Sequence, residues 1–289
     1  MGRRLIGSVR RVNRLIHVER IPVELSGVAE TLLGNLGRRV AAARAGLLDD
    51  PMAIWVADRL DYDFADARRG VRLHALRVAT FDAALRRFLS SDPDGTVVAL
   101  GEGLETQFWR VDNGRVRWLT VDLPETMELR DRLLPAGSRQ ASHPGSALDL
   151  TWADGLDPAR ATLVTAQGLL PYFERDQVHG LIGALADRLP GSILVFDVVP
   201  AVMLGLTRRA SGRERDLAVE LWTWLFDPDE RTAIRAIPGV DELIDLGPPR
   251  AGGVASFAIA AIARLPARLR YAFPVLPVLQ ARLGAASGR

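Results

Sequence analysis

The spacing of hydrophobic positions divides the chain into two unlike parts. Over residues 1–94 apolar side chains recur mostly every three or four positions, which predicts a helical N-terminal region. The predicted helices cover residues 27–45, a stretch that begins at Pro51 with Asp50 as its N-cap, and about residues 71–89. Residues 1–25 are basic and irregular, which is typical of an arm outside the folded core.

From residue 96 onward, short apolar runs alternate with amphipathic stretches. The runs predict buried strands at residues 96–100, 116–121, 162–166 and 192–196. The intervening stretches predict helices at residues 124–134 and 176–189. Strands that alternate with helices indicate βαβ units, so residues 95–200 are expected to form an α/β core around a mostly parallel sheet.

The pattern changes again after residue 200. Residues 201–238 are Arg-rich and then aromatic, and they predict a helical insertion that covers a substrate site as a lid. Its aromatic residues either line an apolar substrate pocket or seal the insertion against the core; they are Trp222, Trp224 and Phe226. Within residues 239–265, the runs 242–246 and 254–259 predict an antiparallel hairpin at the sheet edge. Residues 266–289 are expected to be an amphipathic tail, packed on the core or on another subunit, and the whole chain to be one domain.

Composition excludes several classes of protein. Of 289 residues, 48% are hydrophobic and 25% charged, as in ordinary globular domains. The absence of cysteine excludes disulfides, thiolate metal sites and cysteine nucleophiles, and no metal site is predicted. The net charge of +2, without a basic tail, disfavours nucleic-acid binding. No apolar run approaches the roughly 18 residues of a membrane span, so we expect a cytoplasmic protein without stable membrane insertion. A homo-oligomer is left open.

The turn after the first predicted core strand carries a nucleotide-binding pattern. Gly101 and Gly103 would allow a tight turn and a close approach of ligand to backbone. Asp122 ends the second strand, 21 positions after Gly101, where an acidic residue accepts the hydroxyl groups of a ribose. Glu102 and Glu105 would repel a pyrophosphate but tolerate an ammonium and a sulfonium, which favours S-adenosylmethionine over NAD. An NAD-dependent oxidoreductase and a glycine-rich turn without a ligand are the alternatives.

A collinear set of segments resembles the leucine carboxyl methyltransferase family, which includes polyketide O-methyltransferases of the tetracenomycin type. The strongest likeness is Val97–Arg110, which is similar to the family's glycine-rich first motif. The other segments that carry the resemblance are residues 28–33, 48–53, 61–64, 118–125 and 167–172. They occur in the family's order from about residue 25 to residue 200. The resemblance implies a Rossmann-like, S-adenosylmethionine-dependent methyltransferase.

The resemblance also implies which residues bind the cofactor. Arg77 would hold its carboxylate, for which the forked guanidinium is suited. Gly101 and Gly103 would contact its methionine part, and Asp122 its ribose. Asp149 and Leu150 match a pair that flanks the adenine, although Asp149 could instead cap a turn. Gln167 stands where the family has a glutamate near the cofactor's amino group, and the neighbouring Glu102 and Leu123 complete the predicted cofactor site.

The chain departs from the family's pattern at three positions. Glu105 replaces an aspartate, Gln107 an arginine and Gln167 a glutamate. The loss of a charge at Gln167 would weaken the attraction of the cofactor's ammonium. An accessory or scaffold protein that binds the cofactor without turnover is therefore the alternative to an active O-methyltransferase. Because Asp122 and both glycines are present, we expect an enzyme.

Two side chains are candidates for catalysis. A carboxylate acceptor needs no general base because it is ionised at neutral pH, whereas a hydroxyl acceptor would benefit from one. His143, predicted in a loop near the pocket, is the candidate base, and Tyr172 is predicted to line the active site or merely to pack. A small, polyketide-like molecule is the expected acceptor, and a protein C-terminus is the alternative.

Overall fold

The computed structural model describes residues 20–23, 30–64, 70–203, 221–249 and 276–284, with the single residues 261, 265 and 269. Seven strands form one sheet, and two strands of two residues each form a second. In chain order the strands are β1 (Ile21–Pro22), β2 (Leu60–Asp61), β3 (Thr96–Leu100), β4 (Arg117–Asp122), β5 (Gln140–Pro144), β6 (Thr162–Ala166), β7 (Ile193–Asp197), β8 (Val240–Leu246) and β9 (Val278–Leu283). The helices are α1 (Glu30–Arg44), α2 (Pro51–Ala57), α3 (Val71–Ser91), α4 (Gln107–Val111), α5 (Pro124–Leu133), α6 (Arg175–Arg188) and α7 (Pro228–Arg235).

The large sheet has the order β5-β4-β3-β6-β7-β9-β8. Strands β3 to β7 run parallel, and β9 is antiparallel to both of its neighbours. The chain moves outward from β3 to β5 and then returns to place β6 on the other side of β3. The carboxyl ends of β3 and β6 therefore flank a topological switch point, which is where open α/β sheets bind ligands.

Alternate residues of the central strands bury opposite faces of the sheet. In β3, Val97 and Ala99 pack with Phe81, Leu85 and other residues of α3. Val98 and Leu100 belong to the opposite layer, with Ile182 and other residues of α6. Because side chains alternate along a strand, a sheet covered on both faces needs continuous apolar runs, and this explains why the core strands could be predicted from sequence.

The N-terminal helices form a third apolar cluster beside the sheet. Leu36 of α1, Val56 of α2 and Leu133 of α5 are buried together there. Helix α2 begins as predicted, because the Oδ1 of Asp50 accepts the N–H of Ala53 at 3.0 Å. The first part of the chain is not entirely helical, since β1 and β2 form a short parallel pair.

The antiparallel edge of the sheet is present, and its strand β8 has a partner that the sequence analysis did not predict. Strand β8 contains the predicted run 242–246 and pairs with β9. The second predicted strand, residues 254–259, lies outside the described residues. Strand β9 lies between β7 and β8, so part of the predicted tail is an inner strand of the sheet. Its residues Val278, Leu279, Ala281 and Leu283 are buried, which explains why this position suits the segment.

One other prediction is corrected, and one lies largely outside the described residues. Strand β5 was expected to be a loop, because its sequence Gln-Ala-Ser-His-Pro lacks an apolar run; as an edge strand it is largely exposed and needs none. Most of the predicted lid, residues 204–220, lies outside the described residues, while helix α7 from its second half packs against β8. Within the described part of the chain, no helix is long and apolar enough to cross a membrane.

Candidate functional site

A cavity of about 400 Å³ opens at the carboxyl ends of the central strands. Its floor is formed by the ends of β3, β4 and β6, and helices α1 and α3 supply one wall. The lining includes Thr31, Leu32, Asn35, Arg39, Arg77, Gly101, Glu102, Leu104, Glu105, Gln107, Asp122, Leu123, Gly145, Ser146, Ala147, Gln167, Gly168, Leu169, Tyr172 and Phe173. The cavity thus lies at the switch point, as expected for a ligand site in this kind of sheet.

The glycine turn borders the cavity in a conformation that favours glycine. Gly101 and Gly103 have φ angles of 59° and 53°. A Cβ atom at Gly101 would lie 2.7 Å from the side chain of Leu169, and one at Gly103 would lie 2.5 Å from that of Leu32. Backbone conformation and close packing therefore favour glycine at both positions, and Gly101 lines the cavity where the sequence predicts a ligand.

Asp122 lies at the end of β4 and faces the cavity. Its Oδ2 accepts the N–H of Gly103 at 2.6 Å, and its Oδ1 accepts the N–H of Leu123 at 2.8 Å. Burial raises the pKa of this carboxyl, and the two backbone N–H groups partly offset that effect. Leu123 is 45% exposed at the cavity mouth. The carboxylate is thus joined directly to the glycine turn.

Arg77 lines the cavity and is held by a residue that the sequence analysis missed. Its Nη1 donates to Oδ2 of Asp197 at 2.6 Å, and both side chains are buried. Asp197 ends strand β7 and also accepts the N–H of Gly168 at 2.5 Å. The Nε of Arg77 is buried and has no hydrogen-bond partner among the described residues.

Gln167, which directly follows β6, also lines the cavity, and its side chain is oriented by Glu105. The Nε2 of Gln167 donates to Oε2 of Glu105 at 3.2 Å. An ionised carboxylate only accepts hydrogen bonds, so the amide nitrogen of Gln167 is the atom that faces Glu105. The amide oxygen, Oε1, therefore points away from Glu105. That oxygen is buried and, within the described part of the chain, has no hydrogen-bond partner.

Glu105 belongs to a buried group of charges beneath the glycine turn, which we call the Arg110 cluster: Arg39, Asp50, Asp82, Glu105 and Arg110. Arg110 contacts Asp50 at 2.7 Å, Glu105 at 2.7 Å and Asp82 at 2.9 Å. Arg39 donates to Glu105 at 3.0 Å and to the carbonyl of Leu104 at 2.6 Å. The cluster fixes the turn to the N-terminal helices.

Both glutamates of the turn are paired with arginine side chains. Burial by itself would raise the pKa of Glu105, but the charges of Arg39 and Arg110 outweigh it and lower that pKa to about 2. Glu102 contacts Arg130 at 3.1 Å and accepts the indole N–H of Trp118 at 3.1 Å, while burial raises its pKa. These pairings reduce the repulsion that the two glutamates alone would exert on a pyrophosphate.

Gln107, one of the departures from the family's pattern, also contacts the Arg110 cluster. Its Nε2 donates to Oδ1 of Asp82 at 3.0 Å, and its side chain is buried. The neutral amide of Gln107 thus contacts Asp82 at the position where the family has an arginine. The charge of Asp82 is already paired with Arg110.

The predicted adenine residues lie apart from the cavity lining. Asp149 is exposed and caps the 3₁₀ helix Leu150–Gly155, with its side chain accepting the N–H of Thr151 at 3.1 Å. Leu150 packs against the core. The preceding residues Gly145, Ser146 and Ala147 line the cavity on this side instead. Adenine binding by Asp149 and Leu150 stays a prediction, and the capping alternative has direct support.

Tyr172 lines the cavity, whereas His143 does not. The hydroxyl of Tyr172 donates to Oγ1 of Thr31 at 3.2 Å and accepts a hydrogen bond from Trp222, and burial raises its pKa. A phenol with a raised pKa is a poor base at neutral pH. His143 lies on strand β5, with its ring against Gly145 at the rim. Neither geometry identifies a general base, so both catalytic roles stay predictions.

The aromatic residues predicted for the substrate pocket divide into two kinds. Trp222 is half-buried and reaches the cavity through Tyr172. Trp224 and Phe226 are buried in the main core, where their rings pack edge to face with centroids 5.8 Å apart. The indole of Trp224 donates to Glu230 at 3.0 Å. The prediction that these two line a pocket is wrong, because they seal their segment against the sheet.

Sequence reasoning missed three functional groups of this site. Asp197 had a usable signal, since it ends a buried strand in the same way as Asp122. Arg39 and Asn35 had none, because a polar residue on an amphipathic helix resembles any surface residue. They line the cavity only because α1 packs across its mouth. No metal-binding cluster occurs among the residues that the structure describes.

Comparisons with known proteins agree with this geometry. The model of the leucine carboxyl methyltransferase family matches residues 28–186. The tetracenomycin polyketide synthesis O-methyltransferase TcmP of Streptomyces glaucescens is 33% identical over 183 residues, which cover 61% of this chain and 68% of that protein. The S-adenosyl-L-methionine-dependent methyltransferase dpfgK of Gibberella zeae is 26% identical over 244 residues, covering 75% of this chain and 81% of that protein.

A solved structure supports the fold alone. The plantazolicin methyltransferase BamL, in complex with a triazolic desmethylPZN analog and SAH, has a TM-score of 0.51 at 12% identity and covers 89% of this chain and 99% of that one.

The family model spans more than half of the chain, and the match to TcmP covers two thirds of that relative. The chain therefore belongs to the leucine carboxyl methyltransferase family and is an S-adenosylmethionine-dependent methyltransferase.

Proposed function

We propose that the cavity binds S-adenosylmethionine and that the protein transfers its methyl group to an oxygen of a small-molecule acceptor. One observation carries the assignment of the site. Four buried polar atoms of the cavity residues have no hydrogen-bond partner among the described residues: Nε of Arg39, Nε of Arg77, Oε1 of Glu102 and Oε1 of Gln167. The family resemblance assigns Arg77 and Gln167 to the cofactor's amino-acid part, and they supply one such donor and one such acceptor. A cation N–H and an amide oxygen complement the carboxylate and the ammonium of an amino acid. The residues present therefore fit the methionine part of the cofactor.

The remaining cavity residues suit the adenosyl part. Asp122, turned toward the cavity at the end of β4, would accept the ribose hydroxyls. Gly145, Ser146, Ala147 and Leu123 offer an apolar or small lining for a flat base. A cavity of about 400 Å³ is within the usual range of small-molecule sites, about 300–1,000 Å³.

The charges around the cavity favour a ligand with positive charge. Seven carboxylates and four guanidinium groups of the described residues lie in or directly beneath it: Asp50, Asp82, Glu102, Glu105, Asp122, Glu125 and Asp197, with Arg39, Arg77, Arg110 and Arg130. An ammonium and a sulfonium, opposed by one carboxylate, would supply one net positive charge. The net negative charge around the whole cavity supports S-adenosylmethionine more directly than does the charge of Glu102 and Glu105 alone.

The chain's own residues contribute by binding and orienting. S-adenosylmethionine, when bound, supplies an electrophilic methyl group on a sulfonium. Arg77, Gln167 and Asp122 would fix the two ends of the cofactor, and most of the rate gain would come from proximity and exclusion of water. Tyr172 keeps its proton and would hold the acceptor wall in place through Thr31 and Trp222.

The chemistry of the acceptor follows from relatives and from the wall that faces it. TcmP is named for tetracenomycin polyketide synthesis, and we propose a polyketide-like acceptor here. Leu32, Leu104 and Phe173 offer apolar contacts, and Asn35 offers an amide. We further propose that the whole chain works as one methyltransferase domain in the cytoplasm; whether it forms a homo-oligomer stays open.

A methyl-transfer assay tests the proposed reaction. The protein is incubated with S-adenosylmethionine labelled in the methyl group and with polycyclic phenols or carboxylic acids, and labelled product is extracted. Transfer to a carboxyl oxygen gives an ester that releases methanol in mild alkali, whereas transfer to a hydroxyl gives a stable ether. We expect label in one of these fractions. Label in neither, with cofactor bound, would contradict oxygen methylation.

A further inference from the structure

Asp197 is the buried residue that holds Arg77 in the cavity wall. It is 2% exposed, and both of its carboxylate oxygens are used at short distance. Oδ2 accepts from Arg77 Nη1 at 2.6 Å, and Oδ1 accepts the backbone N–H of Gly168 at 2.5 Å. A carboxylate that accepts a charged donor and a backbone donor at once is held in a single orientation.

Three separate elements meet at this carboxylate. Arg77 comes from helix α3, Asp197 from the end of β7, and Gly168 from the turn after β6. Gly168 has a φ of 68°, and a Cβ atom there would lie 3.2 Å from Nη1 of Arg77. The turn is therefore shaped closely around the guanidinium, and a shift of Arg77 would have to move the turn that carries Gln167.

The ion pair with Asp197 also determines which N–H groups of Arg77 remain without a hydrogen-bond partner. Asp197 takes one Nη1 donor, while Nε stays buried with no hydrogen-bond partner in the described part of the chain. A guanidinium buried with an open N–H is stable only when its charge is balanced and its position is fixed. Asp197 supplies both of these, and it leaves a donor for an anionic group in the cavity.

We propose that Asp197 is a positioning residue for the cofactor's amino-acid part: it fixes Arg77 and the turn at Gly168 so that an open donor of Arg77 meets the cofactor's carboxylate. The inference rests on the proposed function, because it needs the cofactor in this cavity. Asp197 itself does not touch the cofactor in this arrangement. Its effect should therefore depend on whether the ligand has an amino-acid part.

Calorimetric binding of two ligands tests this dependence. S-adenosylhomocysteine contains the amino-acid part, and 5′-methylthioadenosine has the same thioether and nucleoside without it. In Asp197→Asn we expect the dissociation constant of S-adenosylhomocysteine to rise by about tenfold, as for loss of a charge-assisted contact. The dissociation constant of 5′-methylthioadenosine should change by less than about twofold. Asp187→Asn, on the exposed side of α6, is the matched control and should change neither value.

A second variant covers the case in which Asp197→Asn does not fold. Asp197→Glu keeps the charge but displaces it by one methylene group, and it should weaken S-adenosylhomocysteine selectively as well. Equal weakening of both ligands would overturn the inference, because it would indicate a structural role only. Unchanged binding of both ligands would overturn it too. If the unmodified protein binds neither ligand, the proposed function itself fails, which is a different result.

Discussion

The two ends of the cavity are built in different ways. At the proposed nucleoside end, Asp122, Leu123 and the turn Gly145–Ala147 form the wall, and Asp122 is held by the backbone N–H groups of Gly103 and Leu123. At the proposed amino-acid end, Arg77 and Glu105 are buried and Gln167 is partly buried, and their contacts come from charges in distant parts of the chain. Substitutions at the nucleoside end should therefore change ligand affinity, whereas those at the amino-acid end should also change the stability of the fold.

The largest effect is expected at Arg110, which supports the amino-acid end from below. In Arg110→Ala, Asp50, Asp82 and Glu105 lose their shared partner in a buried setting, and the free energy of unfolding should fall by about 3–5 kcal/mol. Urea unfolding measures this loss. Arg115→Ala, which breaks an exposed pair with Asp94, is the control and should leave the unfolding midpoint unchanged. Similar midpoints for the two variants would contradict the buried role of Arg110.

Glu105 should make the stability of this end depend on pH. Its folded-state pKa of about 2 lies below the ordinary 4.5, so its stabilising effect is fully present above pH 4.5 and is lost as the pH falls toward 2. Glu105→Gln should lower the free energy of unfolding by on the order of 3 kcal/mol at pH 7. Urea unfolding at several pH values should show the two proteins converging between pH 4.5 and pH 2. A difference that is constant with pH would show that the charge of Glu105 is irrelevant.

Gly103 tests the glycine turn, and Gly114 is its control. Both have positive φ angles, 53° and 83°, so either change to Ala should cost about 1–2 kcal/mol in backbone strain. Only at Gly103 would the new Cβ atom meet a neighbour, Leu32 at 2.5 Å, whereas nothing lies within 4 Å at Gly114. Calorimetry should show loss of S-adenosylhomocysteine binding in Gly103→Ala alone. Equal binding of S-adenosylhomocysteine by both variants would show that the glycine turn is not part of the ligand site.

The smallest effect is expected at Trp222, on the acceptor wall. Trp222→Phe removes the donor to the hydroxyl of Tyr172, a contact of about 1 kcal/mol, so turnover should fall a few-fold with unchanged S-adenosylhomocysteine affinity. The matched variant Trp224→Phe removes a donor to the largely buried Glu230 and should instead lower the melting temperature. If Trp222→Phe alters cofactor affinity rather than turnover, Tyr172 belongs to the cofactor site.

The core of the fold could be predicted closely from sequence, because its signals are local. Strands β3 and β6 have the predicted bounds, since continuous apolar runs mark a sheet that is buried on both faces. The pairing of β8 was not predictable, because its partner β9 comes more than thirty residues later and resembles an amphipathic tail. Strand pairing over such a distance depends on which segment completes the sheet, and a local pattern does not encode this.

The site could be predicted in part for the same reason. Gly101, Gly103 and Asp122 follow from a turn and a fixed spacing; Gly101 and Asp122 line the cavity, and Gly103 donates its N–H to Asp122. Trp224 and Phe226 were assigned to a pocket because aromatic content suits both a ligand wall and a core, and only packing distinguishes the two. Asp197 and Arg39 act through contacts with residues 120 and 66 positions away, which no spacing rule describes.

The most direct test is the thermal unfolding of the protein with S-adenosylmethionine, S-adenosylhomocysteine and NAD, alongside Asp122→Ala and, as an exposed control on α5, Asp131→Ala. A ligand at about 100 times its dissociation constant adds roughly 2.7 kcal/mol of stability. We predict that the two adenosyl compounds raise the midpoint of the unmodified protein and of Asp131→Ala but not that of Asp122→Ala, and that NAD raises none. A shift with NAD alone, or an undiminished shift in Asp122→Ala, would contradict cofactor binding in this cavity.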